Sequence, residues 1–368
     1  MANSLHAKYG LKRVINASGR MSILGVSAPN DSVMDAMKIG AQNYIEVADL
    51  VDKAGSYIAD KLDSEDAVVV NSASSGIAMS IAALVTKGNK YDSLKLHQKD
   101  IPENEVILFK GHNVQYGAPI ETMIHLGGGK LVEAGYANEG RKEHLEETIN
   151  DNTCAILYVQ SHHAVQKNMI TVEDAWEVAK KYSIPFIIDA AAEEDLQKYI
   201  SCSDLVIFSG SKAIEGPTSG IVAGKKQCID WVKVQLYGIG RSMKVGKEAI
   251  FGLLQAIDHF FNKEDHSREE RISLQALHVL NELDGVTVDI VQDEAGREIY
   301  RGRIKVNPIQ ANMSAEELAT ALRIGKIAIY TRDYGVKQGF FDIDPRPLQG
   351  NDIEIIVQRI QEILGGSS

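Results

Sequence analysis

The stretch Phe208-Ser-Gly-Ser-Lys-Ala-Ile-Glu-Gly-Pro217 places one lysine among small side chains, directly after an apolar run. That run, Leu205-Val-Ile-Phe208, predicts a buried strand, and Gly216 and Pro217 predict a turn after it. The small neighbours of Lys212 leave room for a bulky group on its amine. Lys212 is therefore either the attachment point of such a group or a lysine on a tight surface turn, and this stretch alone favours neither.

A second apolar run, Pro185-Phe-Ile-Ile-Asp189, ends in an aspartate upstream of Lys212. Its continuous apolar character predicts a strand buried on both faces, and open α/β sheets bind ligands at the carboxyl ends of such strands. Pyridoxal phosphate (PLP) needs a lysine for a Schiff base and an anion that keeps its pyridine nitrogen protonated. The order of Asp189 and Lys212 thus predicts a PLP site, whereas the alternative for Asp189 is a helix N-cap.

Six stretches carry a wider pattern: residues 14–21, 69–76, 110–113, 161–163, 188–193 and 212–220. Together they resemble the selenocysteine-synthase-like group of PLP enzymes, and within it the D-glucosaminate-6-phosphate ammonia-lyases. The resemblance spans most of the chain. It implies an α/β protein with the fold of a fold-type-I PLP-dependent transferase, in which a large doubly wound, mostly parallel sheet domain is joined to a small α+β domain.

The resemblance also implies a reaction. A 2-amino-3-hydroxy sugar acid, D-glucosaminate 6-phosphate, would undergo β-elimination to 2-keto-3-deoxygluconate 6-phosphate and ammonia. One alternative is selenium transfer to seryl-tRNA. The net charge of −11 and the pI of about 5.4 argue against a nucleic-acid partner, because binding to a phosphate backbone needs concentrated Lys and Arg. The 14–21 motif also comes so early that we expect no room for the N-terminal domain of the bacterial tRNA enzyme.

The other alternative is a PLP-binding regulatory protein without catalysis. The pairing of Lys212 with Asp189 argues against it, because binding alone would not need a group that makes the cofactor an electron sink.

A predicted strand, Ala67-Val-Val-Val70, leads through small polar residues into a predicted helix, which is an arrangement that binds anions. Ser74, Ser75 and Gly76 are therefore candidates for the PLP phosphate, although serine is also an ordinary helix cap. His112, which follows the predicted strand Val106–Phe109, is the candidate for the flat side chain over the PLP ring in fold-type-I enzymes. Its alternative is a loop histidine bonded to backbone.

The segment Gln160-Ser-His-His163 ends in two histidines. Adjacent residues on an extended segment point in opposite directions, and no carboxylate or cysteine stands at ligand spacing, so we predict no metal site. His163 is instead a candidate for the base that removes the substrate α-proton, with the freed amine of Lys212 as the alternative. Ser209, beside the lysine, is included among the cofactor-binding residues.

A substrate that is acidic at both ends needs two cationic groups. Arg332, at the end of a predicted strand, is the candidate for the carboxylate, with Arg346 as its rival, because arginine binds carboxylates in a bidentate fork. Arg20, or the basic loop of residues 238–247 that carries Arg241, Lys244 and Lys247, is the candidate for the distal phosphate. For each of these arginines the alternative is a surface ion pair or a solvated basic turn.

The length of 368 residues, with 44% hydrophobic and 24% charged residues, is ordinary for a soluble globular protein of two domains. We expect an N-terminal arm and helix over residues 1–60, a PLP-binding domain over 61–262 and a small domain over 263–368. Within these, Gly220–Gly224 is expected to be an antiparallel strand of the large sheet, and residues 268–284 a long helix. No apolar run approaches the roughly 20 residues that span a bilayer. Three widely spaced cysteines predict a reducing cytoplasm, and the fold implies a homodimer or larger homo-oligomer.

Overall fold

The computed structural model describes residues 2–98, 101–161, 164–262, 267–292 and 298–365. Its strands are β1 Arg13–Ala17, β2 Asp66–Val70, β3 Glu105–Phe109, β4 Lys130–Ala134, β5 Thr153–Val159, β6 Phe186–Asp189, β7 Leu205–Ser209, β8 Gly220–Gly224, β9 Val286–Gln292, β10 Tyr300–Val306, β11 Ile327–Thr331 and β12 Phe340–Ile343. Its α-helices are α1 Ala2–Tyr9, α2 Asp31–Gln42, α3 Val47–Leu62, α4 Ala73–Thr86, α5 Lys90–Lys95, α6 Ile120–Leu126, α7 Lys142–Thr148, α8 Val172–Tyr182, α9 Lys226–Val234, α10 Lys247–Asn262, α11 Ser267–Ser273, α12 Ala315–Leu322 and α13 Asp352–Gly365. Within the described ranges, no helix is long and apolar enough to cross a membrane.

The chain divides into a large unit, Pro29–Asn262, and a small unit formed by Met1–Ala28 together with Lys263–Ser368. The first 60 residues therefore do not form a region of their own, contrary to the sequence-based expectation. The reason is pairing and packing: β1 pairs in parallel with β11 in the small unit, whereas α2 packs along α10 in the large unit.

The large unit is built on a seven-stranded sheet of order β2-β8-β7-β6-β5-β3-β4. All its neighbouring strands are parallel except β8, which runs antiparallel to both β2 and β7. The predicted doubly wound, mostly parallel sheet is confirmed, as is the antiparallel strand over Gly220–Gly224. The strands of such a sheet are covered on both faces, which is why they form continuous apolar runs.

One edge of this sheet collects the polar residues singled out above. Strands β2, β3, β5, β6 and β7 run in the same direction, so their carboxyl ends lie at the same edge. The register sets Asp189 beside Ile207 on one side and Val159 on the other. Gly220 pairs with both Val70 and Ser209, so the start of the 71–76 loop and the end of β7 lie close together.

The small unit contains a three-stranded antiparallel sheet, β12-β10-β9, and the parallel pair β1-β11. The helix predicted over residues 268–284 is interrupted: α11 ends at Ser273, and a 3-10 helix follows over Leu274–Glu282. Three leucines of that segment, Leu274, Leu277 and Leu280, are fully buried. Their spacing of three residues matches the three residues per turn of a 3-10 helix, which explains why the α-helix prediction was wrong here.

Candidate active site

Asp189 is the last residue of β6, and Lys212 follows the neighbouring strand β7 in the large unit. Their charges interact. Asp189 is only 8% exposed, and burial raises the pKa of its carboxyl; a hydrogen bond from the Ala191 N–H (3.1 Å) and the charge of Lys212 oppose this shift. Burial lowers the pKa of the half-buried Lys212 amine, and Asp189 opposes that shift. Burial therefore disfavours the charged form of both groups. Such a pair of perturbed ionisable groups is typical of a functional site, where a ligand compensates the cost of burial.

The loop that carries Lys212 is closed by its own backbone. The Gly216 N–H donates to the carbonyl of Gly210, and the Gly210 N–H donates to the carbonyl of Ser219, each at 2.9 Å. Ser209 Oγ lies 3.3 Å from Ser211 Oγ and accepts from the Ser211 N–H at 3.4 Å. These bonds fix the backbone on both sides of Lys212, so the point from which its side chain extends is set by the fold.

The loop before α4, where the sequence predicts an anion site, has backbone N–H groups both with and without partners. Ser72 and Ser75 form a capping box, in which each side chain accepts from the other's N–H at 3.1 Å. The Gly76 N–H donates to the carbonyl of Ser72 at 3.0 Å. The N–H groups of Ser75 and Gly76 are therefore engaged at the start of the helix, and the role of these two residues at the PLP phosphate stays a prediction. Among the described residues, the backbone N–H groups of Ala73 and Ser74 have no partner and are available to an anion.

His112 lies in the core and not over an open pocket. It is 0% exposed, and its ring meets those of Tyr158 and Phe109 edge to face, with centroids 4.6 Å and 5.7 Å away. Its Nδ1 accepts from the Val159 N–H at 3.4 Å, and burial lowers its pKa to about 4. A ring that stacks on a cofactor must present an open face, which His112 does not do here, and its Nε2 has no hydrogen-bond partner among the described residues. The assignment of His112 as the stacking residue therefore stays a prediction.

His163 lies outside the described residues, as does His162. The Gln160 N–H donates to the backbone carbonyl of Asp189 at 2.9 Å, so this segment leaves the sheet beside the aspartate. The assignment of His163 as the base therefore stays a prediction.

Tyr116 is a residue of the site that the sequence analysis missed. It is half-buried in the loop between β3 and α6, and its hydroxyl oxygen is enclosed, with no hydrogen bond of good geometry among the described residues. Desolvation raises the pKa of this hydroxyl; the Ser74 side chain opposes the shift, and the charge of Asp189 adds to it. Tyr116 thus lies near the anion site and near Asp189. It is the single tyrosine of residues 110–119, and that was the signal available in the sequence.

In the small unit, the buried carboxylate of Asp344 binds two arginines. Arg346 donates to both of its oxygens, at 2.9 Å and 2.7 Å, and Arg301 donates at 3.4 Å. Burial raises the pKa of Asp344, but the two arginines outweigh it and the net pKa is lowered. No carboxylate in the described part of the chain lies within ion-pair distance of Arg332, whose pKa is lowered by burial and then by the charge of Arg301.

The remaining basic candidates differ in their surroundings. Arg332 lines a cleft of about 230 Å³ in the small unit, between residues 18–23 and 323–334, and the half-buried Arg20 belongs to the same unit. Arg241 and Lys244 of the large unit are exposed. Lys247 is not available to a ligand, because its ammonium group donates to the carbonyls of residues 40, 41 and 43 and so caps the end of α2.

The family model for L-seryl-tRNA selenium transferase (SelA) matches residues 14–297. The chain belongs to the SelA family. Its relatives include the D-glucosaminate-6-phosphate ammonia lyase of Salmonella typhimurium (strain 14028s / SGSC 2262), which is 41% identical over 99% of this chain and 98% of its own. The 5'-C-glycyluridine monooxygenase-decarboxylase of a Streptomyces species is 35% identical over 96% of this chain and 90% of its own. An L-seryl-tRNA(Sec) selenium transferase of Alkaliphilus oremlandii is more distant, at 24% identity over 96% and 82%.

Comparison with solved structures agrees with this family assignment. A structure of D-glucosaminate-6-phosphate ammonia-lyase superposes with a TM-score of 0.94 at 40% identity, covering 100% of this chain and 99% of that one. An SPT solved with PLP has a TM-score of 0.56 at 15% identity, with 97% and 88% covered, and supports the fold alone. The predicted fold-type-I PLP fold is confirmed.

The SelA family and this fold indicate pyridoxal phosphate as the cofactor, and the large unit fits it. Lys212 is a half-buried amine whose protonated form is disfavoured. Asp189 is a buried carboxylate that would gain from a protonated ring nitrogen. The free N–H groups at the start of α4 and the enclosed hydroxyl of Tyr116 are donors that lack acceptors within the described residues.

Proposed function

We propose that this protein is a PLP-dependent ammonia-lyase that converts D-glucosaminate 6-phosphate to 2-keto-3-deoxygluconate 6-phosphate and ammonia. The observation that carries the proposal is the 41% identity, over almost the full length of both chains, with an enzyme named for that reaction. The pair formed by Lys212 and Asp189 at one sheet edge supplies the groups that this chemistry needs.

Three parts of the large unit would hold the cofactor: Lys212 by a covalent bond, Asp189 at the ring nitrogen, and the start of α4 at the phosphate. When bound, PLP withdraws electrons from the substrate α-carbon and so makes the C–H bond there acidic. Asp189 would hold the ring nitrogen in its protonated form, because an ionised carboxylate favours a positive charge beside it. Lys212, whose pKa is lowered by burial, has a larger neutral fraction than an exposed lysine and can accept the α-proton.

The atoms of the reaction balance without an oxidant. The substrate α-carbon loses its proton, and the hydroxyl group leaves the next carbon as water after it takes up a proton. Water then replaces the amino group, which leaves as ammonia. One water is lost and one is consumed, so the net change is loss of ammonia with formation of a 2-keto-3-deoxy acid.

Arg332 is the proposed partner of the substrate carboxylate. Its rival Arg346 is already bound through two hydrogen bonds to Asp344, and Arg301 shares the same carboxylate. Arg301, Arg346 and Arg332 share the surroundings of one buried carboxylate, that of Asp344, so positive charge is in excess there. Arg332 is repelled by the other two arginines. A substrate carboxylate would relieve the repulsion that it experiences.

Arg241 with Lys244, or Arg20, is proposed for the distal phosphate. Arg241 and Lys244 are exposed and have no ion pair among the described residues, so binding a dianion would cost them no internal contact. Binding energy from a phosphate remote from the reacting carbons can also raise kcat when it is used to position the substrate.

The test compares D-glucosaminate 6-phosphate with unphosphorylated D-glucosaminate, with ammonia and keto acid measured together. We expect equal amounts of both products from the phosphate ester and a much lower kcat/KM for the unphosphorylated acid. Arg332→Ala should raise KM for both substrates, whereas Arg241→Ala and Lys244→Ala should affect mainly the phosphorylated one. Equal turnover of the two acids would contradict the phosphate site, and absence of ammonia would contradict the reaction.

The same assay separates the other chemistries of the family. The name of the Streptomyces relative denotes oxygen use and decarboxylation. Oxygen uptake or CO2 release that accompanies turnover of the sugar acid would therefore favour that chemistry. Tight tRNA binding with a steep salt dependence would favour selenium transfer, against the expectation from the net charge of −11 that no nucleic acid binds.

We further propose a homodimer or larger assembly in a reducing cytoplasm. Ile39, Tyr44 and Val47 of the large unit, which are close in the sequence, are 56%, 105% and 52% exposed, and an assembly that covered these apolar side chains would remove them from water. The thiols of Cys154 and Cys228 are buried, and burial raises their pKa, to about 12 and about 11, so both stay protonated and unreactive.

A further inference from the structure

The loop between β3 and α6 holds Tyr116 in a fixed position. The Ile120 N–H donates to the carbonyl of Val114 at 3.0 Å, and the Tyr116 N–H donates to the carbonyl of Ala118 at 3.2 Å. One hydrogen bond therefore joins the two ends of the 114–120 segment, and the other closes the turn at its tip. Its tyrosine packs with the apolar cluster on one face of the sheet, so its ring is anchored there.

The hydroxyl at the end of this anchored ring is a donor without an acceptor. It is enclosed, yet no described residue offers it a hydrogen bond of good geometry. A buried hydroxyl that loses its water contacts without a replacement costs free energy, so such a group in a folded protein calls for an explanation. The hydroxyl interacts with the Ser74 side chain, and the backbone N–H of Ser74 is also without a partner among the described residues.

Ala73, which precedes Ser74, packs against the same apolar cluster as Tyr116, and the Tyr116 hydroxyl interacts with the Ser74 side chain, so the two unpartnered donors lie close together. Ser74 belongs to the first turn of α4, where the N–H groups and the helix dipole attract an anion. We propose that Tyr116 is a cofactor-binding residue whose hydroxyl donates a hydrogen bond to the phosphate group of PLP, together with the Ser74 N–H. Tyr116, and not His112, is then the aromatic residue of this loop that meets the cofactor.

Tyr116→Phe tests the proposal, with Tyr158→Phe as the matched control. The Tyr158 hydroxyl is also buried, but it donates to the carbonyl of Ile170 at 3.0 Å and is thus satisfied by the protein. Each enzyme is resolved with hydroxylamine and reloaded with either PLP or pyridoxal, which lacks the phosphate. The measured quantities are the dissociation constants, followed by absorbance, and the melting temperature of the cofactor-free protein.

We expect Tyr116→Phe to weaken PLP binding about tenfold or more, because hydrogen bonds to charged groups are among the strong ones, while pyridoxal binding stays within about twofold of the parent. The cofactor-free variant should melt at or above the parent temperature, since no protein contact is lost. Tyr158→Phe should melt lower and bind both ligands as the parent does. The proposal is overturned if Tyr116→Phe binds PLP as the parent does, if it weakens PLP and pyridoxal equally, or if Tyr158→Phe gives the same loss of PLP.

Discussion

Gly220→Ala is a perturbation whose effect on the phosphate site follows from distances. Gly220 begins β8, and a Cβ there would lie 2.5 Å from the carbonyl carbon of Ser72 and 2.7 Å from the backbone nitrogen of Ala73. Real Cβ atoms essentially never approach a neighbour below 3.0 Å, and both of these neighbours are backbone. The 72–73 backbone must therefore move by about 0.5 Å or more, because no flexible side chain can give way.

That movement displaces the N–H groups proposed for the PLP phosphate. A charge-assisted hydrogen bond contributes about 1.5–3 kcal/mol, and about 1.4 kcal/mol is tenfold in affinity, so losing one bond weakens PLP binding by about tenfold to hundredfold. Overpacking at the same position should also destabilise the fold by about 1–3 kcal/mol.

The control is Gly302→Ala in the small unit. Its Cβ would lie 2.2 Å from Cδ1 of Leu277, so it is at least as crowded, but it presses on a side chain in another core. Urea unfolding and PLP titration are measured on both variants. We expect both to lose stability and only Gly220→Ala to lose affinity for PLP. Parent-like affinity in Gly220→Ala, or an equal loss in Gly302→Ala, would show that the close approach of β8 to the loop does not position the phosphate site.

Three further predictions each concern a single charged residue. Lys212→Ala should abolish the borohydride-reducible link to the cofactor, and a reducible link that persists in this variant would place the attachment elsewhere. Asp189→Asn should retain cofactor but lose about 10³-fold in kcat, or about 4 kcal/mol, and parent-like kcat would leave the carboxylate only its role in the turn at Ala191. Asp344→Asn should lower the free energy of unfolding by about 3–5 kcal/mol, because it leaves buried arginines without their carboxylate, whereas Asp289→Asn, which breaks an exposed pair, should cost less than about 1 kcal/mol; similar losses in urea unfolding would contradict this difference.

The features predictable from the sequence were those set by apolar periodicity. Strands buried on both faces form unbroken apolar runs, so β6 and β7 were recognised, and with them the positions of Asp189 and Lys212. The resemblance to PLP enzymes added the cofactor and the reaction. The N-terminal segment was assigned wrongly, because pairing of β1 with β11 joins residues about 300 apart and leaves no local signal in either strand.

Roles that depend on hydrogen-bond partners could not be predicted either. Ser74, Ser75 and Gly76 look equivalent in the sequence, but the capping box takes Ser75 and leaves Ser74 free for a ligand. His112 and Tyr116 stand four residues apart in one loop, and only their packing distinguishes a core residue from one near the anion site. The sequence places Lys247 in a basic loop, but its ammonium group caps the end of α2, which is distant from it in the sequence.

The electrostatics of Asp189 and Lys212 link cofactor binding to stability. Burial raises the pKa of Asp189 and lowers the pKa of Lys212. The attraction between the two charges opposes both shifts without cancelling them, so each group is less readily ionised in the folded protein than in water. Because the folded pKa of Asp189 is raised, its contribution to the stability of the cofactor-free protein is present at low pH and lost as the pH rises through that pKa. Because the folded pKa of Lys212 is lowered, its contribution is present above the pKa of the unfolded chain and lost as the pH falls through the lowered value. Between the folded pKa of Asp189 and the folded pKa of Lys212, both groups are ionised and both lower the stability of the cofactor-free protein. A protonated ring nitrogen beside Asp189 and a covalent bond at Lys212 remove both penalties at once, so the stabilisation gained on loading the cofactor should be largest in that same interval of pH.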